Sequence, residues 1–496
     1  MPPSTIAVIG GGITGLSSAF HLSRRFPQAS IILLEKSSRD GGWIRSRRVE
    51  VKDSHGNKAE ILLEAGPRSL RPNSKAILEL TNLLHLTSSI ITTPKSSKAA
   101  KDRFLHIPGR PGLTRLPSSP LSLLSTPYAS SILVPSILRE PIRRANRPKD
   151  ADDESVSSLL ARRFGHKLER IFGSALVHGI YAADARALSV KATFPILLEA
   201  EERGRGSIVL GMLKAGSKES DLQQYDVGDV QSLVNDAAVF SFVDGLGTIP
   251  KSLREYLDKS EKVTVRTNAV VTSLRPKLNA EGIEVDLANG ETLSASHVVS
   301  AIPLDRLEDL LPSHGALPHL TTNPMSSVTV VNIVFPPSKT PIHPPGFGYL
   351  IPRPVGGYSR RGTGFLGTVF DSCSLGAQDT GAPGFTKLTV MLGGPYEITP
   401  AHTKIENVLA QLQHHLSPIH HRIGGARLPW PVYFEAMEHN ECIPLPLVGH
   451  VRRMEELRAA LKTGPWKGKL EVIGASVDGV SVGDCAEAAR KVGRDW

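Results

Sequence analysis

Apolar residues open the chain in a short unbroken run, Ile6-Ala7-Val8-Ile9, and the turn Gly10-Gly11-Gly12-Ile13-Thr14-Gly15 follows at once. Beyond it the spacing changes. Leu16, Ala19, Phe20 and Leu22 recur at helical intervals as far as Phe26-Pro27, and Ile31-Ile32-Leu33-Leu34 is a second apolar run that ends in Glu35. A continuous apolar run reads as a strand buried on both faces, and the wider spacing as a helix with one buried side. The order predicts a strand-helix-strand unit of a parallel sheet. Short strands return at 239–243, 263–265, 283–287 and 298–301, then at 470–473 before a glycine-rich turn and a last helix. Segments 328–335 and 388–392 read as strands of a second sheet.

The stretch 94–148 has a different texture, rich in Pro, Ser and Arg with few periodic elements. A helical pattern covers 156–177, and 150–154 reads as an acidic, exposed linker. One domain assembled from 1–93, 206–305 and 441–496 accounts for this alternation. The insertions are 94–205, mostly helical, and 306–440, which carries the second sheet.

A chain of 496 residues is long enough for two or three packed cores, and 40% hydrophobic with 21% charged residues is ordinary for a globular protein. The net charge of +10 favours anionic partners. No nucleic-acid-binding signature accompanies it, so nucleic acid ranks last among them. Cys373, Cys442 and Cys485 are widely spaced, which argues against a disulfide scaffold or a zinc site. The 17 histidines form no metal-protease pattern, and the pairs His414-His415 and His420-His421 are expected on a polar helix face, with no metal. No apolar run approaches the roughly 18 residues of a spanning helix, and no signal peptide or cleavable presequence is read at the start. Membrane contact is therefore expected to be peripheral. The candidate region is 94–205, where Arg139, Arg143, Arg144, Arg147, Arg162, Arg163, Lys167 and Arg170 accompany apolar residues such as Ile132-Leu133-Val134. An ordinary basic domain face is the alternative.

The chemistry begins at the first turn. Gly10-x-Gly12-x-x-Gly15 is weak evidence alone, but here it joins a strand to a helix, and Glu35 closes the next strand twenty residues on. Glycines permit the tight turn and a close backbone approach, the helix start offers N–H groups and positive potential to a pyrophosphate, and the acid accepts ribose hydroxyls. Gly41-Gly42-Trp43 lets the chain pass close to the cofactor again; it resembles the extension that follows the dinucleotide fold in flavoproteins of the amine-oxidase type, and that resemblance implies FAD over NAD. Near the other end, the segment from Gly474 to Asp484 opens the last helix. A helix start there, aimed at the flavin's pyrimidine edge, would stabilise the reduced ring.

Longer motifs resemble a particular family. They are Gly41-Gly42-Trp43-Ile44-Arg45-Ser46, Gly66-Pro67-Arg68-Ser69-Leu70-Arg71-Pro72, Arg103-Phe104-Leu105, His178-Gly179-Ile180-Tyr181-Ala182, Gly346-Phe347-Gly348-Tyr349-Leu350, Val390-Met391-Leu392-Gly393-Gly394, Asn440-Glu441-Cys442-Ile443-Pro444 and Gly474-Ala475-Ser476. With them the chain resembles, over nearly its whole length, the protoporphyrinogen IX oxidases, oxygen-dependent FAD enzymes of the flavin amine-oxidase superfamily. The resemblance implies an α/β fold: a Rossmann-like FAD-binding domain, an α+β substrate domain and a mostly helical membrane-binding insertion. It implies flavin contacts from Gly10, Gly11, Gly12, Ile13, Thr14, Gly15, Glu35, Lys36, Gly42, Trp43, Arg45, Gly66, Pro67, Val270, Ala475, Val480, Ser481 and Val482. It also implies that Arg103 pairs with a propionate, that Phe347, Gly348, Leu350, Val369, Met391 and Ile443 wall the cavity, and that Gly179 lies close to the macrocycle. Protein groups would orient the substrate while the flavin takes hydride, so no catalytic residue is expected. The implied reaction oxidises protoporphyrinogen IX to protoporphyrin IX with dioxygen and releases hydrogen peroxide, in the penultimate step of haem synthesis. A homodimer on the mitochondrial inner membrane is the family expectation.

Some residues depart from the family pattern. Ala183 stands where glycine is common, 216–236 matches poorly, and 353–362 looks like an extended loop. Two alternatives stay open. An amine oxidase of the same superfamily is one, although the Gly483-Asp484-Cys485-Ala486 segment differs from the segments that carry covalent flavin, so noncovalent FAD is expected. The other is a nonenzymatic escort protein of the same architecture.

Overall fold

The computed structural model describes residues 2–496 apart from 120, 145, 148–151, 215, 217–223, 278–280, 360–361 and 423–426. Parts of the acidic linker, of the 216–236 stretch and of the 353–362 loop therefore lie outside the described residues, as do the side chains of His420 and His421.

Thr5–Ile9 is the middle strand of a five-stranded sheet whose order is Leu470–Val472, His297–Ser300, Thr5–Ile9, Ser30–Leu34 and Val263–Arg266. Every neighbouring pair is parallel. A central parallel strand needs two apolar faces, and residues 6–9 are buried throughout. One face packs on helices Ile13–Arg25, Thr248–Asp258 and Val482–Lys491 through Leu16, Phe20, Leu253 and Ala486. The other packs on a three-stranded antiparallel sheet and on Met454, Leu457 and Leu461 of helix His450–Thr463. The start, middle and end of the chain thus contribute strands to one parallel sheet.

The second sheet has seven strands in the order Tyr433–Pro444, Met325–Phe335, Thr386–Gly393, Phe365–Val369, Gly348–Leu350, Arg103–Leu105 and Thr114–Arg115. Its neighbours are antiparallel except Gly348–Leu350 with Arg103–Leu105. Two short strands from within 94–205 therefore belong to this sheet, and apart from the single turn Lys98–Lys101 the helices of that stretch follow them. Helix Ile405–Arg422 covers the rear face, placing Val408, Leu412 and Leu416 against Val331, Ile333, Leu388 and Val390.

The helical part departs from the sequence reading in four places. The single helix expected over 156–177 is broken: Val156–Phe164 ends at Gly165, whose φ of 95° turns the chain, and a wide turn at Glu169–Gly173 precedes helix Ser174–Tyr181. Glu154, expected in an exposed linker, is buried and binds Arg162 at 2.6 Å. Arg163, counted with the basic surface, has no exposure and pairs with the equally buried Glu140 at 2.6 Å, while Arg162 also binds Glu201. Ile132 packs in the core with Ile171 and Ala175, and the exposed apolar residues are instead Leu121, Leu124, Ile137, Leu138 and Ile142. No helix of the described residues is long and apolar enough to cross a membrane.

Candidate active site

The first turn is shaped by absent side chains. Gly10 lies at φ 101°, a left-handed conformation that a β-carbon resists, and a β-carbon on Gly15 would collide with the Gly10 carbonyl oxygen. The helix start is thereby pressed against its strand. Gly12 caps helix Ile13–Arg25 without any side-chain hydrogen bond, so its first-turn N–H groups and positive end stay available to an anion. A β-carbon on Gly12 would meet only the Gly42 α-carbon, at 3.9 Å, leaving room for close approach. The Glu35 carboxylate stands at this rim, accepting the N–H groups of Gly11 at 2.6 Å and Ser37 at 2.9 Å.

Other loops converge on the same rim. Gly41 donates its N–H to the Gly11 carbonyl at 2.8 Å, and Ala65 donates to the Arg45 carbonyl at 2.9 Å. A β-carbon on Gly66 would strike the Trp43 carbonyl oxygen, so the 42–45 and 66–67 segments lie side by side. Trp43 is 48% exposed and meets the ring of His439 edge-on. Ala269 donates to the Glu35 carbonyl at 2.9 Å, which brings Val270 and the exposed Lys36 beside that acid. From the far end of the sequence, Gly474 stands against the Thr14 side chain. Ala475 and Val480 line a cavity of about 250 Å³ shared with Tyr181, Leu445, His450 and Arg458. These residues fit FAD: a bare helix start for the diphosphate, an acid for a ribose, and glycines where side chains would intrude.

The last helix carries a feature that the sequence reading did not include. Its start is closed by a capping box, in which Ser481 accepts the N–H of Asp484 and the Asp484 carboxylate accepts the N–H of Ser481. A carboxylate in the first turn offsets the positive end that was to stabilise a reduced flavin. Cys485 in that helix is buried, and burial pushes its thiol up to about 11. His415 also departs from the reading of a polar helix face: it is buried behind the second sheet, its Nδ1 2.8 Å from the Tyr349 hydroxyl, and burial holds it down near 2. His414 is exposed.

The seven-stranded sheet gathers the predicted cavity residues by register. Arg103 pairs with Gly348 and Gly348 with Val369; Leu350 pairs with Gly367, Gly367 with Met391, and Met391 with Val330. Because side chains alternate along a strand, Arg103, Leu350, Val369 and Met391 all occupy the front face, opposite helix Ile405–Arg422. Ile443 joins Met391 and Met437 in one apolar cluster. Phe347 lies under the Arg103 guanidinium, 5.9 Å from its ring centre. Gly179 faces Leu350 closely enough that a β-carbon would sit 2.9 Å from a leucine methyl group. Over Leu350, Val369, Met391 and Val330 the front face is thus apolar with a cation at one edge, and Thr389 and Asn332 satisfy each other beside it.

Three features escaped the sequence reading. Leu176 and Ile180 are exposed on the Gly179 side of helix Ser174–Tyr181, and their helical spacing was a usable signal. Arg68 forms a buried pair with Asp371 at 3.2 Å, which nothing local announces. Glu64 is buried between Ser46 and Leu246, and burial pushes its carboxyl up to about 7.

A family model described as flavin containing amine oxidoreductase matches residues 13–452. The chain is 31% identical to a protoporphyrinogen oxidase of Schizosaccharomyces pombe, over 97% of this chain and 96% of the relative. It is 32% identical to a human protoporphyrinogen oxidase, over 98% and 97% of the two chains. In fold it is similar to the crystal structure of a candidate protoporphyrinogen oxidase from Exiguobacterium sp. 255-15, with a TM-score of 0.75, 20% identity and coverage of 98% and 97%.

Proposed function

This chain belongs to the flavin containing amine oxidoreductase family and, within it, to the protoporphyrinogen oxidases, and from that premise we propose that it oxidises protoporphyrinogen IX to protoporphyrin IX. It is an FAD-dependent oxidase. The observation that carries the substrate assignment is the front face of the second sheet, apolar over Leu350, Val369 and Met391 and ending in Arg103. A porphyrinogen is a wide apolar ring with carboxylate arms, and this surface offers both complements.

The chain's own residues bind and orient. The Gly10 to Gly15 turn holds the diphosphate, and Glu35 holds the adenosine ribose. When bound, FAD supplies hydride acceptance and passes the electrons to dioxygen, giving hydrogen peroxide. Leu350, Val369, Met391 and Ile443 support the macrocycle, and Arg103 fixes its rotation by taking a propionate, so that one meso carbon is presented. The FAD is proposed to be noncovalent, because the Cys485 thiol is buried and held protonated. Leu121, Leu124, Ile137, Leu138 and Ile142, exposed near Arg139, support peripheral contact with a membrane, proposed to be the mitochondrial inner membrane. A homodimer completes the proposal.

Adding protoporphyrinogen IX to the FAD-loaded protein in air should raise porphyrin fluorescence, with three dioxygen molecules consumed per porphyrin formed. A yellow protein that oxidises amines and leaves the porphyrinogen untouched would sink the assignment. Flotation with anionic vesicles and light scattering check the membrane and dimer parts separately.

A further inference from the structure

Three arginines near Arg71 and Arg103 have acidic partners. Arg68 binds Asp371, Arg115 binds Asp102, and Arg48 binds Asp244. Arg71 and Arg103 differ: among the described residues neither side chain makes an ion pair or a hydrogen bond, and the Arg103 contact is with a ring face. Arg71 is exposed in the loop that follows Gly66, and Arg103 is exposed at the start of its strand.

Main-chain hydrogen bonds and one ion pair bring the two to one edge. Leu70, beside Arg71, exchanges both main-chain bonds with Phe240, at 2.8 and 3.0 Å, which fixes the loop. Three residues before Arg71, Arg68 pairs with Asp371. Phe370, next to Asp371, donates to the Phe347 carbonyl at 3.0 Å, and Phe347 donates to the Asp102 carbonyl at 2.9 Å, next to Arg103. The charge of Arg71 reaches its neighbour: Arg103 is held below its ordinary value first by the partial burial of its head group and then by Arg71. Two like charges left close and unpaired raise the energy of the empty site, and an anion between them relieves it.

Protoporphyrinogen IX carries its two propionates on neighbouring pyrroles at one edge of the ring. We propose that Arg71 is a second carboxylate-binding residue of the substrate site, holding the propionate adjacent to the one taken by Arg103. The inference rests on the porphyrinogen reading above. It makes the site selective for a macrocycle with two adjacent acids, and one guanidinium per acid fixes rotation as well as affinity.

The test uses the FAD-loaded Arg71→Gln and Arg71→Lys variants with protoporphyrinogen IX and its dimethyl ester. The expected result is that R71Q raises KM for the diacid about tenfold, the worth of one charge-assisted pair, while KM for the ester moves less than about twofold. R71K should recover part of the loss, because it keeps the charge without the planar fork. Equal shifts for acid and ester, or no shift for the acid, would overturn the proposal. If R71Q loses FAD, R71K decides by the same comparison, with a diacid KM raised about threefold. A wild-type protein inactive on both porphyrinogens counts against the functional reading instead. Arg71 is then judged by the binding of protoporphyrin IX and its dimethyl ester, followed by tryptophan quenching: R71Q weakens only the diacid if the inference holds and treats both alike if it does not.

Discussion

The two sheets make their sites in opposite ways. The parallel sheet and the loops at its rim offer backbone: Gly10, Gly12, Gly15 and Gly66 matter through what they lack, and the bare start of helix Ile13–Arg25 is left open to an anion. The seven-stranded sheet offers side chains on one face, aligned only when five strands are in register. A backbone site tolerates almost no added atom, because peptide groups cannot step aside. A side-chain site can repack. Cofactor binding should therefore be brittle in this protein and substrate binding adjustable.

A pair of glycine substitutions tests that contrast most strongly. Gly15→Ala drives a methyl group into the Gly10 carbonyl and should cost more than about 3 kcal/mol, seen as loss of bound FAD and of thermal stability. Gly179→Ala meets only the mobile end of Leu350 and should keep its FAD, with a change of about 1 kcal/mol read as a shift in KM. Similar losses of FAD in both would break the comparison.

The next largest effect lies where the sheets join. The Glu64 main chain accepts from Asn332 of the second sheet, at 3.1 Å, while its carboxyl is buried on the cofactor side with a value of about 7 against an ordinary 4.5. The folded protein binds this proton more tightly than the unfolded chain does. The Glu64 contribution is therefore fully present below pH 4.5 and is lost as pH rises from 4.5 to 7. Glu64→Gln removes the titration, so urea melts should show the variant gaining on the wild type by up to about 3 kcal/mol between pH 4.5 and 8. A gap that does not change with pH would mean that Glu64 titrates normally.

The smallest effect concerns the capped helix. Asp484→Asn removes a negative charge from the first turn of Val482–Lys491 and should raise the flavin midpoint potential by about 10–20 mV. An unchanged potential would place that helix start away from the flavin ring.

The cofactor half was legible because its signals are local. The strand, turn, helix and closing acid from Ile6 to Glu35 span thirty residues, and their physics depends on neighbours in sequence. The cavity half was reached through resemblance, since Arg103, Val369 and Met391 share a face only through pairings of distant strands. Local pattern failed where partners were remote. Arg163 and Glu154 looked solvated because charge normally is, yet each is buried against an opposite charge. His415 and Ile132 were misplaced because a run of polar or apolar letters does not say which side of a helix turns inward. Gly165 was overlooked as a break because one glycine inside a helical pattern is often tolerated.

The meeting of Gly474 with Thr14 sets an order of events during synthesis. The edge strand Leu470–Val472 and the segment that faces the first helix emerge from the ribosome only after about 470 residues of the chain have been made. The nucleotide pocket cannot close before then, however early its first turn forms. Flavin loading is thus a late step that ties the two ends of the chain together, and a truncated product would be left with an open sheet edge and no means of keeping the flavin.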